Sequence, residues 1–454
     1  MTSTSSAPAL STTIPTTIPA TIAIVGRPNV GKSALFNRLI GKRHAVVAHE
    51  AGTTRDRISH IFDCNGYETM LVDTGGLESG AKEDIEADIQ AQAKIAIADA
   101  DLIFFVADIS QELTSDDFAA ANILRRSKKT IILIGNKYDH PNQEKNSYNV
   151  FELGFGKPIN TSALHNLGIE ELKSKTEKIL RQLKFKKGKI QTDPNTVNIC
   201  ILGKPNAGKS SLVNALTNSQ KVIVNEKPGT TRDAIDTELN YNEQKFNLID
   251  TAGLRRRGKI QTGIEHFSAL RCLKAIERTD IVVLLIDGKE GLTSQDTHIV
   301  QYAIEAQKGL IIAINKTDLF EEQEEEKDRI IARLQRRFTF VPWAPIIFIS
   351  AIKKINIFEI LKQSLEIIKE RKKRIPEGEL NAFIQKISFK HMPSSSHVRK
   401  PAFINISQVD VAPPKFLLHF KNAGNLHFSY PRYLENKIRE KYGFRGTAVS
   451  LKFK

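Results

Sequence analysis

Apolar residues in this chain come in short unbroken runs separated by stretches of helical periodicity. The runs Ile22 to Val25, Met70 to Val72, Leu102 to Ala107 and Ile131 to Ile134 are strand-length and lack polar alternation. That is the pattern of strands covered on both faces. Helical stretches such as Lys32 to Leu39 and Asp116 to Arg126 lie between them, and Ile169 to Leu183 closes the series. The alternation returns in Val197 to Leu202, Phe246 to Ile249, Ile281 to Ile286, Leu310 to Ile314 and Ile346 to Ile349, closing with Ile357 to Glu370. Two such series predict two α/β domains, each a mostly parallel sheet with helices on both faces. The last segment breaks the rhythm. It reads as helix Leu380 to Phe389, strands Phe403 to Val409 and Phe416 to Lys421, helix Tyr430 to Tyr442 and strand Val449 to Phe453, an α+β unit.

The expected divisions are a tail over 1–20, domains over 21–183 and 196–375 joined by a linker over 184–195, and a third domain over 376–454. The tail is rich in Ser, Thr, Pro and Ala and carries no charge. It lacks the basic start and apolar centre of a secretory signal and the arginines of a transit peptide, and it reads as disordered. No apolar run is long enough to span a bilayer.

Where the first strand of each domain gives way to a helix stands a glycine-bounded loop. Gly26, Arg27, Pro28, Asn29, Val30, Gly31, Lys32 and Ser33 form one; Gly203, Lys204, Pro205, Asn206, Ala207, Gly208, Lys209 and Ser210 form the other. This is a phosphate-binding loop, in which glycines let backbone N–H groups turn inward around phosphate. Lys32 and Lys209 would reach the β and γ phosphates, and Ser33 and Ser210 would bring a hydroxyl to Mg²⁺. After a later strand come Asp73, Thr74, Gly75 and Gly76, then Leu77; their counterparts are Asp250, Thr251, Ala252 and Gly253, then Leu254. Gly203 and Asp250 both lie 177 positions after Gly26 and Asp73, so the chain is an internal repeat. Asp73 and Asp250 can hold Mg²⁺ through water, and Gly76 and Gly253 can offer an N–H to the γ-phosphate. Asp-Thr-Gly also marks aspartic proteases, but that reading leaves both upstream loops unexplained.

A third motif identifies the base. Asn136, Lys137 and Asp139 recur as Asn315, Lys316 and Asp318. An aspartate can accept hydrogen bonds from guanine N1–H and the 2-amino group, which adenine cannot offer, so the pocket should select GTP and GDP over ATP. Each lysine stem can lie over the base while the asparagine braces the loop. Ser162 and Ala163, and Ser350 and Ala351, end a further strand, where the alanine N–H can face guanine O6. Between loop and switch, Thr54 and Thr231 sit in repeated Gly-Thr-Thr-Arg-Asp segments and are the candidates for a second hydroxyl on Mg²⁺.

The net charge of +15 favours a polyanionic partner. Residues 377–454 hold 13 lysines and arginines against 5 acidic residues, so a balance of +8 sits in about a sixth of the length. The run Arg371 to Arg374 has two open readings, a solvated helix end or a contact with phosphates. Cys64, Cys200 and Cys272 lie far apart without metal-ligand spacing, which fits a reducing, cytoplasmic setting.

These motifs resemble the EngA/Der family of tandem, double-Era-like GTPases, over about residues 21–454. The end domain resembles that family's KH-like domain through Pro413-Pro414-Lys415-Phe416, Arg432-Tyr-Leu-Glu-Asn436 and Phe444-Arg-Gly-Thr447. The resemblance implies a cytoplasmic, monomeric GTPase that assists large ribosomal subunit assembly and binds the precursor through rRNA and ribosomal proteins. It also implies K⁺ at Asn29 and Asn206, which would stand in for an arginine finger. Leu77 and Leu254 occupy the place of a water-orienting glutamine, which implies slow intrinsic hydrolysis. The other function to weigh is a GTPase in tRNA modification or a membrane-linked process; no lipidation motif or C-terminal catalytic cysteine supports it.

Overall fold

Ala20–Val25 is buried at every position and forms the middle of the first sheet. The computed structural model describes residues 19–41, 58–76, 85–140, 143, 148–188, 193–225, 236–251, 269–390, 401–423, 426–427 and 429–454. The chain divides into two compact units, one ending at Pro194 and one running from Asn195 to the end.

In the first unit the strands are β1 (Ala20–Val25), β2 (Ser59–Cys64), β3 (Tyr67–Asp73), β4 (Leu102–Asp108), β5 (Thr130–Asn136) and β6 (Ile159–Thr161), ordered β2-β3-β1-β4-β5-β6. β1 pairs in parallel with β3 and β4, and β4 with β5. The order reverses at β1, so the loop leaving β1 opens at the switch point where doubly wound sheets bind ligands. One face of the sheet packs Ile22, Ile24, Phe104, Val106, Ile132 and Ile134 against the helices Lys32–Leu39 and Ile169–Gln182.

The second unit repeats this with β7 (Thr196–Leu202), β8 (Ile223–Asn225), β9 (Thr237–Tyr241), β10 (Gln244–Ile249), β11 (Ile281–Asp287), β12 (Gly309–Asn315) and β13 (Ile346–Phe348), ordered β13-β12-β11-β7-β10-β9-β8. Neither sheet is wholly parallel. β2 and β3 form an antiparallel hairpin through Asn65 and Gly66, both with positive φ, and β9 and β10 do so through Asn242 and Glu243. Asn-Gly is a strong two-residue hairpin signal, but β2 and β9 are half polar and carry no apolar run. β6 has three residues, too few for a periodicity to show.

The end of the chain builds a third sheet, β14 (Ala402–Asp410), β15 (Lys415–Lys421) and β16 (Ser450–Phe453), with β14 antiparallel and β16 parallel to β15. Helices Glu377–Lys390 and Ser429–Tyr442 supply Leu380, Ile384, Leu434 and Ile438 to a core shared with Phe416 and Phe444.

This α+β layer is bonded to the second sheet. β13 covers only the C-terminal half of β12, and the remainder of that side is taken up by the end domain: Leu310 N–H donates to Gly446 O at 2.9 Å, and Gly309 bridges Thr447. Gly446 N–H donates to Trp343 O, and the Arg439 guanidinium lies 4.9 Å from the Trp343 ring centroid. Arg371 is 3% exposed and donates to Gln307 O and Thr447 Oγ1, both at 3.0 Å. It is therefore neither a solvated helix end nor a phosphate contact, which corrects both readings of that position. Burial pulls its guanidinium down to about 10, still charged at neutral pH.

The segment read as a linker begins attached to the first unit. Phe185 packs against Ala20, Tyr67 and Leu180. Gly188 N–H donates to Gly66 O, and Lys187 pairs with Glu177 at 2.7 Å.

A Cβ at Gly446 would run into the Ile367 side chain, and its φ of 72° is costly for other residues. Gly446→Ala should therefore destabilise the second unit by about 2 kcal/mol. Trp343 is the only tryptophan, so urea unfolding followed by its fluorescence reads that unit directly.

Candidate functional site

The loop between β1 and helix Lys32–Leu39 turns because Asn29 and Gly31 take positive φ, 65° and 90°. Gly26 and Gly31 are required by closeness: a Cβ at Gly26 would strike Val106 O, and one at Gly31 would strike Asn136 Nδ2. In the second loop a Cβ at Gly203 would meet Leu285 O, and one at Gly208 would meet Asn315 Nδ2. Each loop is thus seated on a strand end of its own sheet, with a helix N-terminus opening behind it, an arrangement suited to anions.

Lys32 Nζ donates to Gly26 O at 2.7 Å and Arg27 O at 2.9 Å; Lys209 Nζ donates to Gly203 O at 2.9 Å and Lys204 O at 2.6 Å. Both ammonium groups are held at the mouth of their loops. Arg27 and Lys204 point to other partners, Asp117 at 3.1 Å and Glu290 at 2.6 Å.

The Asn-Lys-x-Asp segments converge on the same loops. Asn136 Nδ2 donates to Val30 O and Asn315 Nδ2 to Ala207 O, both at 2.8 Å. Their side-chain oxygens take Ala163 N–H at 3.4 Å and Ala351 N–H at 3.0 Å. The alanine N–H groups expected to face guanine O6 are thus directed at the asparagines. Asp139 and Asp318 are each positioned by a serine hydroxyl, Ser162 at 2.6 Å and Ser350. In the second unit, Asn206, Gly208, Lys209, Ser210, Asn315, Lys316 and Asp318 line one cleft of about 350 Å³ with Ile352.

Two residues that sequence reasoning missed fix the lysine stems. Asp108 ends β4 and binds Lys137 Nζ at 2.7 Å; Asp287 ends β11 and binds Lys316 Nζ at 2.6 Å. Burial alone would raise these carboxyls, but hydrogen bonds from the lysine and from neighbouring residues outweigh it and hold both below the ordinary value. An acidic residue closing an otherwise apolar strand was the available signal. Arg38 was missed as well; it donates to Ala163 O and Leu164 O at 2.7 Å and pins the base loop to the helix after the phosphate loop.

The two switch aspartates differ. Asp73 Oδ2 accepts from Ser33 Oγ at 2.7 Å, which sets a hydroxyl beside a carboxylate as hard oxygen donors for Mg²⁺. Thr74 Oγ1 donates to Ile24 O and anchors the turn Thr74–Gly76 to β1. Asp250, at φ 59°, is instead held by Arg271, Nε to Oδ2 at 2.7 Å and the terminal nitrogen to Oδ1 at 2.8 Å. Thr54, Leu77, Thr231, Ala252, Gly253 and Leu254 lie outside the described residues. Among the described residues, no cluster of His, Cys, Asp or Glu forms a further metal centre, and no helix is long and apolar enough to cross a membrane.

Comparison with known proteins matches both nucleotide-binding units and the end domain. The model of the 50S ribosome-binding GTPase family matches residues 21–137 and again 198–316. That of the C-terminal, KH-domain-like part of EngA bacterial GTPase enzymes matches 374–454. GTPase Der of Thermomicrobium roseum is 43% identical over 442 residues, covering 95% of each chain. GTPase Der of Herpetosiphon aurantiacus is 42% identical over 442 residues, covering 95% of this chain and 96% of the relative. That of Alkaliphilus metalliredigens is 40% identical over 428 residues, covering 94% and 96%.

The Asp287–Lys316 pair has a defined acid signature. Because the carboxyl is depressed in the fold, its stabilisation is complete above the ordinary aspartate value of about 3.9 and is lost as pH falls through the native value. In urea titrations read at Trp343, Asp287→Asn should remove that part of the acid destabilisation and lower stability at neutral pH. An unchanged acid limb would mean that the pair contributes nothing.

Proposed function

The chain belongs to the GTPase Der family and is a GTP-hydrolysing enzyme, and from that premise we propose a two-site switch that assists assembly of the large ribosomal subunit. The observation that carries the reading is the duplicated brace: in each unit one asparagine joins the base-reading loop to the phosphate loop. A guanine nucleotide in either unit would therefore be gripped at base and phosphates by one connected piece of structure.

In this reading Asp139 and Asp318 accept from the guanine edge, and Lys137 and Lys316 lie along its face with their ends tied down by Asp108 and Asp287. Lys32 and Lys209 turn from loop carbonyls to the β and γ oxygens. Ser33 with Asp73, and Ser210 with Asp250, would hold Mg²⁺, which when bound offsets phosphate charge. Thr54, Thr231, Gly76 and Gly253 would complete each γ-phosphate sensor, so that hydrolysis releases the segment. Asn29 and Asn206 stand exposed at the loop crests and would supply amide oxygens to K⁺.

The functional divisions proposed are 21–183, 196–375 and 376–454, with nucleotide state setting which faces reach a cytoplasmic precursor particle. The excess of basic residues in the end domain supports contact with rRNA, and a phosphate-dominated contact should weaken steeply with salt. The chain is taken to act as a monomer.

Four measurements test this. Asp139→Asn and Asp318→Asn should each cost one site roughly 100-fold or more in GTP affinity, leaving one guanine nucleotide per chain at saturation; two retained sites would overturn the base assignment. Lys32→Ala and Lys209→Ala should each abolish turnover at one site, about 100-fold or more below the parent, and turnover should be faster in K⁺ than in Na⁺ at equal ionic strength. Pelleting through a sucrose cushion should show nucleotide-dependent association with large-subunit particles; equal association under GTP, GDP and no nucleotide removes the switch.

A further inference from the structure

Arg271 makes the second site unlike the first. It lies in the helix Ala269–Arg278, just beyond the switch, and places two nitrogens on the two oxygens of Asp250, at 2.7 and 2.8 Å. In the first site the matching carboxylate is turned toward the phosphate loop, where Ser33 Oγ donates to it at 2.7 Å. The Arg271 side chain is half exposed and that of Asp250 is 19% exposed, so the pair sits at the surface of the unit.

The helix and the strand end are joined at a second point. Asp236 Oδ1 accepts the Asp250 backbone N–H at 3.0 Å, and its other oxygen is bonded to Arg278, about two turns further along the same helix than Arg271. Thr237 Oγ1 and Thr251 Oγ1 are 2.7 Å apart. Asp250 is thus fixed through its backbone by Asp236 and through its side chain by Arg271, in a left-handed conformation. Each carboxylate oxygen keeps a second lone pair, but the guanidinium fork offsets the negative charge and fixes the direction in which the carboxylate points, so turning it toward a cation costs part of a charge-assisted pair.

We propose that Arg271 is a positioning residue that withholds Asp250 from the metal, so that the second site engages Mg²⁺ and the γ-phosphate only as the Arg271–Asp250 fork opens. The first site, with Asp73 already beside Ser33, needs no such opening. Metal demand therefore differs between two sites whose sequence motifs are equivalent. The proposal rests on reading Asp250 as metal-facing.

The test uses the full chain carrying Asp139→Asn, so that a fluorescent, non-hydrolysable GTP analogue reports the second site. The readout is the Mg²⁺ concentration at half-maximal nucleotide binding. Arg271→Ala should lower that midpoint by about tenfold. Arg271→Lys, which keeps the charge without the fork, should lower it in the same direction. In the reciprocal chain carrying Asp318→Asn, where only the first site reports, Arg271→Ala should leave the midpoint unchanged. An unchanged midpoint in Arg271→Ala, a Lys variant identical to the parent, or an equal shift at the first site would each overturn the latch. Asp250→Asn separates the two ideas: a raised midpoint upholds the metal reading whatever Arg271 does, and an unchanged one removes that reading and the latch with it. Thermal melting of each variant establishes that the fold is retained.

Discussion

One side-chain amide in each unit holds the candidate site together. Asn136 and Asn315 each sit at the end of a buried strand, donate to a carbonyl of the phosphate loop and accept from the loop that follows the last strand. Both are 2% exposed, so the hydrogen bonds form where an unpaired amide would cost about 1–3 kcal/mol. The contact also dictates composition elsewhere, because Gly31 and Gly208 pass so close to the amide that neither tolerates a Cβ. The loop that would cradle phosphates and the loop that would read the base are therefore not independent modules.

Much of this was legible because the signals are strong and local. Continuous apolar runs marked β1, β4, β5, β11 and β12, since strands covered on both faces leave no room for polar alternation. Fixed spacing marked the phosphate loops and the Asn-Lys-x-Asp segments. What escaped was set by tertiary context. The edge strand β2 and the strand β9, one in from the edge, carry polar residues on their less buried faces, and their hairpin turns had to be read in place of their periodicity. Asp108 and Asp287 look like ordinary strand ends until the fold brings a lysine to each. Arg371 reads as part of a basic run, yet it is buried against Thr447, a residue far away in sequence.

The repeat is faithful in motif and unequal in detail. Arg38 clamps the base loop of the first unit through two carbonyls, while the position 177 residues later is Ala215, a buried core residue. The first loop's arginine reaches a helix-capping aspartate, and the second loop's lysine reaches Glu290. Such differences lie outside the residues that name the motifs. Duplicated domains can keep identical chemistry while their supporting contacts diverge, and with them the rigidity of each pocket.

The pairing of Gly446 and Thr447 onto the start of β12 has a consequence for dissection of the molecule. A chain stopped near residue 375 would bare the outer side of the start of β12, leaving the Leu310 N–H without its partner while the inner side stays paired with β11, and would open the guanidinium of Arg371 to solvent. An uncapped strand end of that kind is a template for other chains. Truncated pieces of the second domain should therefore tend to self-associate, and an excised enzyme core needs the C-terminal module, or a substitute for its two-residue clasp, to stay in solution.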